Sequence, residues 1–199
     1  MRRLTLLLAI AALATACNDN NPTQVATNQL TFIRVAPTAP PLANAVDSFW
    51  ARKGENRQIQ IWFRPAAGRN DSTIFMEFRV DADALYRLPN GTLIGDGDSV
   101  LIHVSVSDPV HLIVSFEPSG LQFSPSRPAR MNYQFVESDD DLDGDGQVTA
   151  ADSILKTQLR LYRQETTGGL WTVVRSTIDT EVEECDTDIY GFTNYALAY

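Results

Sequence analysis

Cysteine is almost missing from this chain: there are two, Cys17 and Cys185. One possible pair cannot make the dense framework of a small disulfide scaffold. Histidine is equally scarce, with His103 and His111 alone. Neither sits in a His-Glu-x-x-His spacing, so zinc chemistry is excluded and both read as structural residues. Basic residues are outnumbered, 16 against 25, for a formal charge of -9. That balance excludes a nucleic-acid partner, because phosphate binding needs clustered Lys and Arg, and it disfavours a folded face lying on anionic lipid. There is no Gly-x-Ser-x-Gly elbow, no Walker loop and no dinucleotide fingerprint. These absences read as a protein that is not an enzyme. Acidic residues are so common, however, that a carboxylate pair could still form in space, which keeps an envelope hydrolase acting on polysaccharide or peptide as the alternative.

What is present divides the chain into three. Residues 1–16 have the order of a secretory signal peptide: Met1-Arg2-Arg3 is basic, 4–13 is a short apolar run, and Ala14-Thr15-Ala16 is a small-residue cleavage site. The apolar run is too short for a bilayer span, which needs about 20 residues. Cleavage removes two of the 16 basic residues, leaving 14 against 25 acidic ones and a net charge of -11. Small residues followed at once by Cys17 resemble the lipobox of bacterial lipoproteins, with Ala14 where Leu is usual. That resemblance implies lipidation of Cys17, a stable anchor and a place in the bacterial cell envelope, on the outer membrane. An ordinary cleavage that merely exposes Cys17 is the competing reading. Residues 17–44 then read as the lipidated Cys and a flexible tether rich in Asn, Thr, Pro and Ala, with a short strand possible over 29–35.

From residue 45 to 199 the pattern is one of strands. Residues 58–63 alternate polar and apolar, 74–80 do so in part, and 98–106 and 110–116 are β-branched runs around the turn Asp108-Pro109. Further strands are expected over 129–135, 155–162, 171–174 and 195–199, separated by Gly- and Pro-bearing turns. No stretch sustains a helical period, although one partial turn of helix can form over 150–155. The expectation is an all-β fold, an antiparallel β-sandwich. Trp50, Trp62 and Trp171 could together form a sugar-binding face, but in a sandwich of this size they read first as core or rim residues.

Into this pattern one motif is inserted: Asp141-Leu142-Asp143-Gly144-Asp145-Gly146-Gln147-Val148-Thr149-Ala150-Ala151-Asp152. It fits the twelve-residue calcium loop position by position. Asp141, Asp143 and Asp145 place short carboxylates where they converge. Gly146 permits the sharp turn. Gln147 offers its backbone carbonyl, Val148 would pin the loop to the core, Thr149 binds directly or through water, and Asp152 closes the shell. So many hard oxygens select Ca²⁺ over a transition metal. Asp at the twelfth position, where Glu is usual, requires a closer approach. The loop resembles that of dockerins, which carry two such loops and two helices; here one loop sits between strands. Its expected role is a staple and not a signalling hinge.

The wider chain resembles the ZU-five domain, a β-sandwich of zonula occludens proteins, ankyrins and netrin receptors with bacterial relatives. The matching stretches are Phe78-Arg79-Val80 to Leu85, Asn90-Gly91-Thr92, 98–102, Phe116-Glu117-Pro118-Ser119-Gly120-Leu121-Gln122-Phe123, Arg127-Pro128-Ala129 and the segment Gly191-Phe192-Thr193-Asn194-Tyr195-Ala196-Leu197. The resemblance implies a sandwich over 45–199 and a protein partner at the cell envelope. Some members cleave themselves at His-Phe-Ser. Here Gly191 stands in place of the His, so Thr193 has no base to take its proton and self-cleavage is not expected.

Overall fold

A computed structural model describes residues 24–68 and 70–199; the expected signal peptide and Cys17 lie outside the described residues. In chain order the strands are β1 (Gln24–Val25), β2 (Val46–Arg52), β3 (Arg57–Trp62), β4 (Ile74–Val80), β5 (Leu85–Arg87), β6 (Ser99–Asp108) and β7 (Ile113–Glu117). They continue with β8 (Gln122–Phe123), β9 (Ala129–Gln134), the helix α1 (Ala150–Gln158), β10 (Arg160–Gln164), β11 (Trp171–Val173), β12 (Ser176–Asp179), β13 (Glu184–Ile189) and β14 (Asn194–Ala198). Every strand pairing is antiparallel. The expected all-β, antiparallel class is the observed one.

Two sheets share one apolar core. The larger runs β1-β11-β10-β14-β7-β6-β2, the smaller β12-β13-β9-β4-β3, and β5 and β8 form a separate pair. Alternation explains which side chains meet. In β6, Val100, Ile102, Val104 and Val106 are buried while His103 and Ser107 face water, the period of two that a pleated strand imposes. Phe78 of the smaller sheet touches Phe116 of the larger at 4.9 Å between ring centres and Phe49 at 6.5 Å. Phe192 packs on Phe78 and Phe116 at 5.6 and 5.1 Å. Each such pair contributes about 0.5–1.5 kcal/mol beyond area burial. Tyr133 is fully buried in β9, and its hydroxyl donates to the Leu112 carbonyl at 2.7 Å, joining the smaller sheet to the β6–β7 turn of the larger. These contacts join the two sheets across one core.

Two expectations are corrected here. The stretch up to residue 44 is packed into the domain from Gln24 onward. Thr31 and Ile33 donate their amides to the Tyr199 and Leu197 carbonyls at 3.0 and 3.1 Å, Val35 bridges to Ser138, and Leu42 to Phe63. Ile33 is buried, and Phe32 leans on Trp171 at 5.1 Å. The apolar residues Val25, Leu30 and Phe32 cover Tyr162, Trp171, Ala196 and Ala198 on the outer face of the larger sheet, burial that Asn- and Pro-rich composition concealed. The partial turn allowed over 150–155 is a helix that runs on to residue 158, so the strand expected over 155–162 begins only at Arg160. Thr149 caps that helix, accepting from the Ala151 amide at 3.1 Å, with Asp152 reciprocating. No helix among the described residues is long and apolar enough to cross a membrane.

Candidate metal centre

The acidic loop leaves β9 and returns through α1. Its entry is fixed by the fold: Asp139 donates its amide to the Arg34 carbonyl at 2.7 Å, and the Tyr199 hydroxyl donates to the Leu142 carbonyl. Leu142 packs against the core. Val148, expected to pin the loop, is 68% exposed. Leu142 takes that part, because its position lies against the sheet end while Val148 rides the outer turn.

Within the loop the carboxylates are turned inward by backbone amides. Asp141 accepts at one oxygen from Gly144 and Asp145 at 2.8 and 3.1 Å, and at the other from Gly146 at 2.8 Å. Asp143 accepts from the Asp145 amide at 3.1 Å and Asp145 from the Gln147 amide at 2.8 Å. Gly146 sits at φ 87°, a left-handed angle that a side chain would strain even though no atom crowds it within 4 Å. The result is that Asp141, Asp143 and Asp145 bring oxygens within 4.8 Å of one another. Of its roughly four acceptor sites each carboxylate keeps some beyond these amide bonds, Asp141 having used three and Asp143 and Asp145 one each.

The electrostatics match that crowding. The Asp143 carboxyl is raised: the hydrogen bond from the Asp145 amide lowers it, but desolvation and the charges of Asp145, Asp152 and Asp141 outweigh that bond. Like charges at this range repel unless a cation lies between them. The donor set fits a hard divalent cation: three short carboxylates on one turn, with the Gln147 carbonyl next in line.

Asp152 stands apart from the other three. One oxygen accepts from the Leu142 and Asp143 amides at 2.8 and 3.1 Å, the other from the Thr149 amide at 2.7 Å and the Thr149 hydroxyl at 3.2 Å. These bonds, from Thr149 first and then Asp143, hold its carboxyl below the ordinary range against the opposing effect of desolvation. Asp152 and Thr149 therefore form the hinge between loop and helix. Both belong to the expected metal shell, and in this structure Asp152 accepts from backbone amides and from the Thr149 hydroxyl while Thr149 accepts from the Ala151 amide.

Other candidate residues are accounted for. His111 is bonded through Nδ1 to Asp108 at 2.8 Å, and this bond with that of the His111 amide holds Asp108 below the usual carboxylate range although desolvation opposes it. His103 pairs with Glu117 across the strands and so does not face His111. Trp171 is buried, whereas Trp50 is 62% exposed at the β2 edge. Thr193 is buried, and its hydroxyl donates to the Gln164 carbonyl. Cys185 is a free, buried thiol.

One further concavity lies away from the loop. Strands β4, β9, β13 and β12 curve around a groove of about 850 Å³ on the face opposite the aromatic core, lined by charged and amide side chains. Sequence reasoning missed it, since β13 alternates Glu184, Asp186 and Asp188 outward with Cys185, Thr187 and Ile189 inward and carries no apolar signature of a strand.

No family model matches the chain, and no curated protein or solved structure matches it either.

Proposed function

We propose that this protein is a lipid-anchored module of the bacterial cell envelope, held at the outer membrane by Cys17, whose ZU-five-like β-sandwich is stapled by calcium and serves in binding and not in catalysis. The observation that carries the reading is the convergence of Asp141, Asp143 and Asp145 on one glycine-bearing turn. Calcium would be held by these three, by the Gln147 carbonyl, and by Thr149 and Asp152 once the cation draws them in. Bound there, it would neutralise the repulsion that raises Asp143 and tie α1 to the loop. A ligand that binds only the folded state stabilises it by about 2.7 kcal/mol at a hundredfold excess over Kd. Calorimetric titration of metal-free protein, with melts alongside, tests this. Calcium should give heat and raise Tm, magnesium should do far less, and Asp145→Ala should abolish both effects. Absence of heat and of any shift in the parent would reduce the loop to a solvated acidic turn. The anchor is tested separately: Cys17→Ser protein should leave the membrane fraction. The resemblance-based partner is another envelope protein.

A second reading is favoured by one observation. An envelope hydrolase needs a polar cleft with convergent titratable groups away from the loop, and the groove on the smaller sheet brings Glu77, Glu184 and Asp186 around Asn132. Reducing ends or new amino termini released from polymers incubated with the protein would establish that reading; an unchanged polymer would leave the binding module.

A further inference from the structure

The groove on the smaller sheet is a built surface. Pleating sends Arg130, Asn132 and Gln134 of β9 outward beside Glu184, Asp186 and Asp188 of β13. The register sets Asn132 between Glu77 on one side and Asp186 on the other, and Gln134 opposite Glu184. The Asn132 amide donates to Asp186 at 3.0 Å and to Glu184, and Gln134 donates to the Asn132 carbonyl at 3.4 Å. Planar amides and carboxylates are thus held edge to edge at fixed spacing. Each carboxylate retains free acceptor sites, because it offers about four and these bonds use one or two.

The chemistry of the lining narrows the occupant. Arg79, Arg130 and Arg175 share the lining with four carboxylates, Glu77, Glu184, Asp186 and Asp188. Arg79 and Arg130 are already ion-paired to Asp81 at 2.7 and 2.5 Å, so no cluster of free positive charge selects a polyanion, and the small net charge does not select a polycation. Strands β4, β9 and β13 are each paired on both sides, so an added peptide strand could pair only along β12 at the margin of the groove and not across its floor. The lining has no deep apolar pocket of the kind that anchors a protein partner, since Met131 is buried and Tyr190 is its one exposed aromatic side chain. A ligand matching this surface carries many groups that both donate and accept, has no net charge, and has an apolar face for one ring. That description is a hydroxyl-rich sugar chain. Asn132, Gln134 and the carboxylates would take paired hydroxyls, Arg175 and the N–H groups that Arg79 and Arg130 do not spend on Asp81 would take hydroxyl or ring oxygens, and the Tyr190 ring, 49% exposed, would lie against the C–H face of a sugar. The volume, about 850 Å³, is within the range of ligand clefts. We propose that this groove binds a neutral polysaccharide. The proposal rests on the binding-module reading and names its ligand class, but it uses none of the residues of the acidic loop.

The test is affinity electrophoresis of the full chain in mild detergent, through gels containing dextran, galactomannan or mixed-linkage β-glucan, with alginate as the anionic control and with either calcium or chelator present. At least one neutral polymer should retard the protein. Asn132→Ala combined with Asp186→Ala should weaken that retardation about tenfold or more, and Tyr190→Ala should weaken it as well, with Tm near that of the parent. Val182→Ser, away from the groove, should leave it unchanged. No retardation by any neutral polymer, equal retardation of the groove variants, or binding to alginate alone would overturn the proposal, as would a peptide ligand that occupies the groove where no sugar does. Retardation that persists when calcium causes no shift in Tm would sink the loop reading and support the groove. A calcium shift without any retardation would sink the groove and leave the staple.

Discussion

Tyr199 donates its phenolic hydroxyl to the backbone carbonyl of Leu142, so the strand end after β14 is tied directly to the acidic loop. The contact crosses 57 residues of sequence and joins the larger sheet to the candidate metal turn. Tyr199→Phe removes one neutral hydrogen bond and leaves the ring in place. The expected loss is about 1 kcal/mol, or roughly 2–4 °C in Tm for a domain of this size. The calcium-induced rise in Tm should remain but need more calcium to reach its plateau. Melts of both proteins across a calcium series check this; identical calcium dependence would show that the contact does not position the loop.

Asp152 should act on stability through its charge even without metal. Its carboxyl is held below the ordinary value near 3.8 by bonds from Thr149 and Asp143, so its contribution is present above that value and is lost as pH falls through the lower folded value. In chelator, Asp152→Asn should melt well below the parent at pH 7, and the difference should shrink near pH 3. A gap of equal size at both pH values would assign the effect to shape alone.

The Cys185 thiol should be inert in the folded protein. Desolvation first, and the charge of Asp186, push it from near 9 up to about 12, against a hydrogen bond with Ser176. A raised acid favours the folded state below the unfolded pKa, so stability should decline as pH climbs from about 9 towards 12, by up to about 1.4 kcal/mol per pH unit. A thiol reagent should modify Cys185 in urea and not in native buffer. Fast native modification would contradict its burial.

Phe32 should hold the packed N-terminal segment down. Half-buried against Trp171, it should cost about 1–2 kcal/mol on truncation to Ala, below the 3–5 kcal/mol of a fully buried Phe. Hydrogen exchange by mass spectrometry should show peptide 24–35 losing protection in Phe32→Ala while peptides of β4 and β9 keep theirs. A parent in which 24–35 exchanges freely would rule out the docked segment.

The fold class was legible because strands such as β3 and β6 have one wet and one dry face, and that difference is written as alternation. The helix was less legible. Its Ile154 is 60% exposed and its buried residue is Asp152, so no apolar stripe marks a 3.6-residue period. The readable signal was the capping pair Thr149 and Asp152, which the same spacing also fits to a metal loop. Strand β13 hid for a related reason: Cys185 and Thr187 face inward, and neither reads as core. In the candidate site, Asp141, Asp143 and Asp145 were visible because their convergence is local, set by a turn of a few residues. Asp152 is also held locally, by Leu142, Asp143 and Thr149, but whether its oxygens serve amides or a metal is not written in spacing. The groove depends on where distant strands lie, which no local pattern encodes.

Docking of the chain from Gln24 onward sets a short leash. If Cys17 carries the lipid, seven residue steps separate it from the first paired residue, a reach of about 25 Å at full extension. A tether running to residue 44 would have allowed roughly 95 Å on the same measure. An acidic domain kept this near a membrane samples only a thin shell above it, and anionic headgroups would push its carboxylate-rich faces outward. Partners would then meet it at the membrane surface and not at a distance from it.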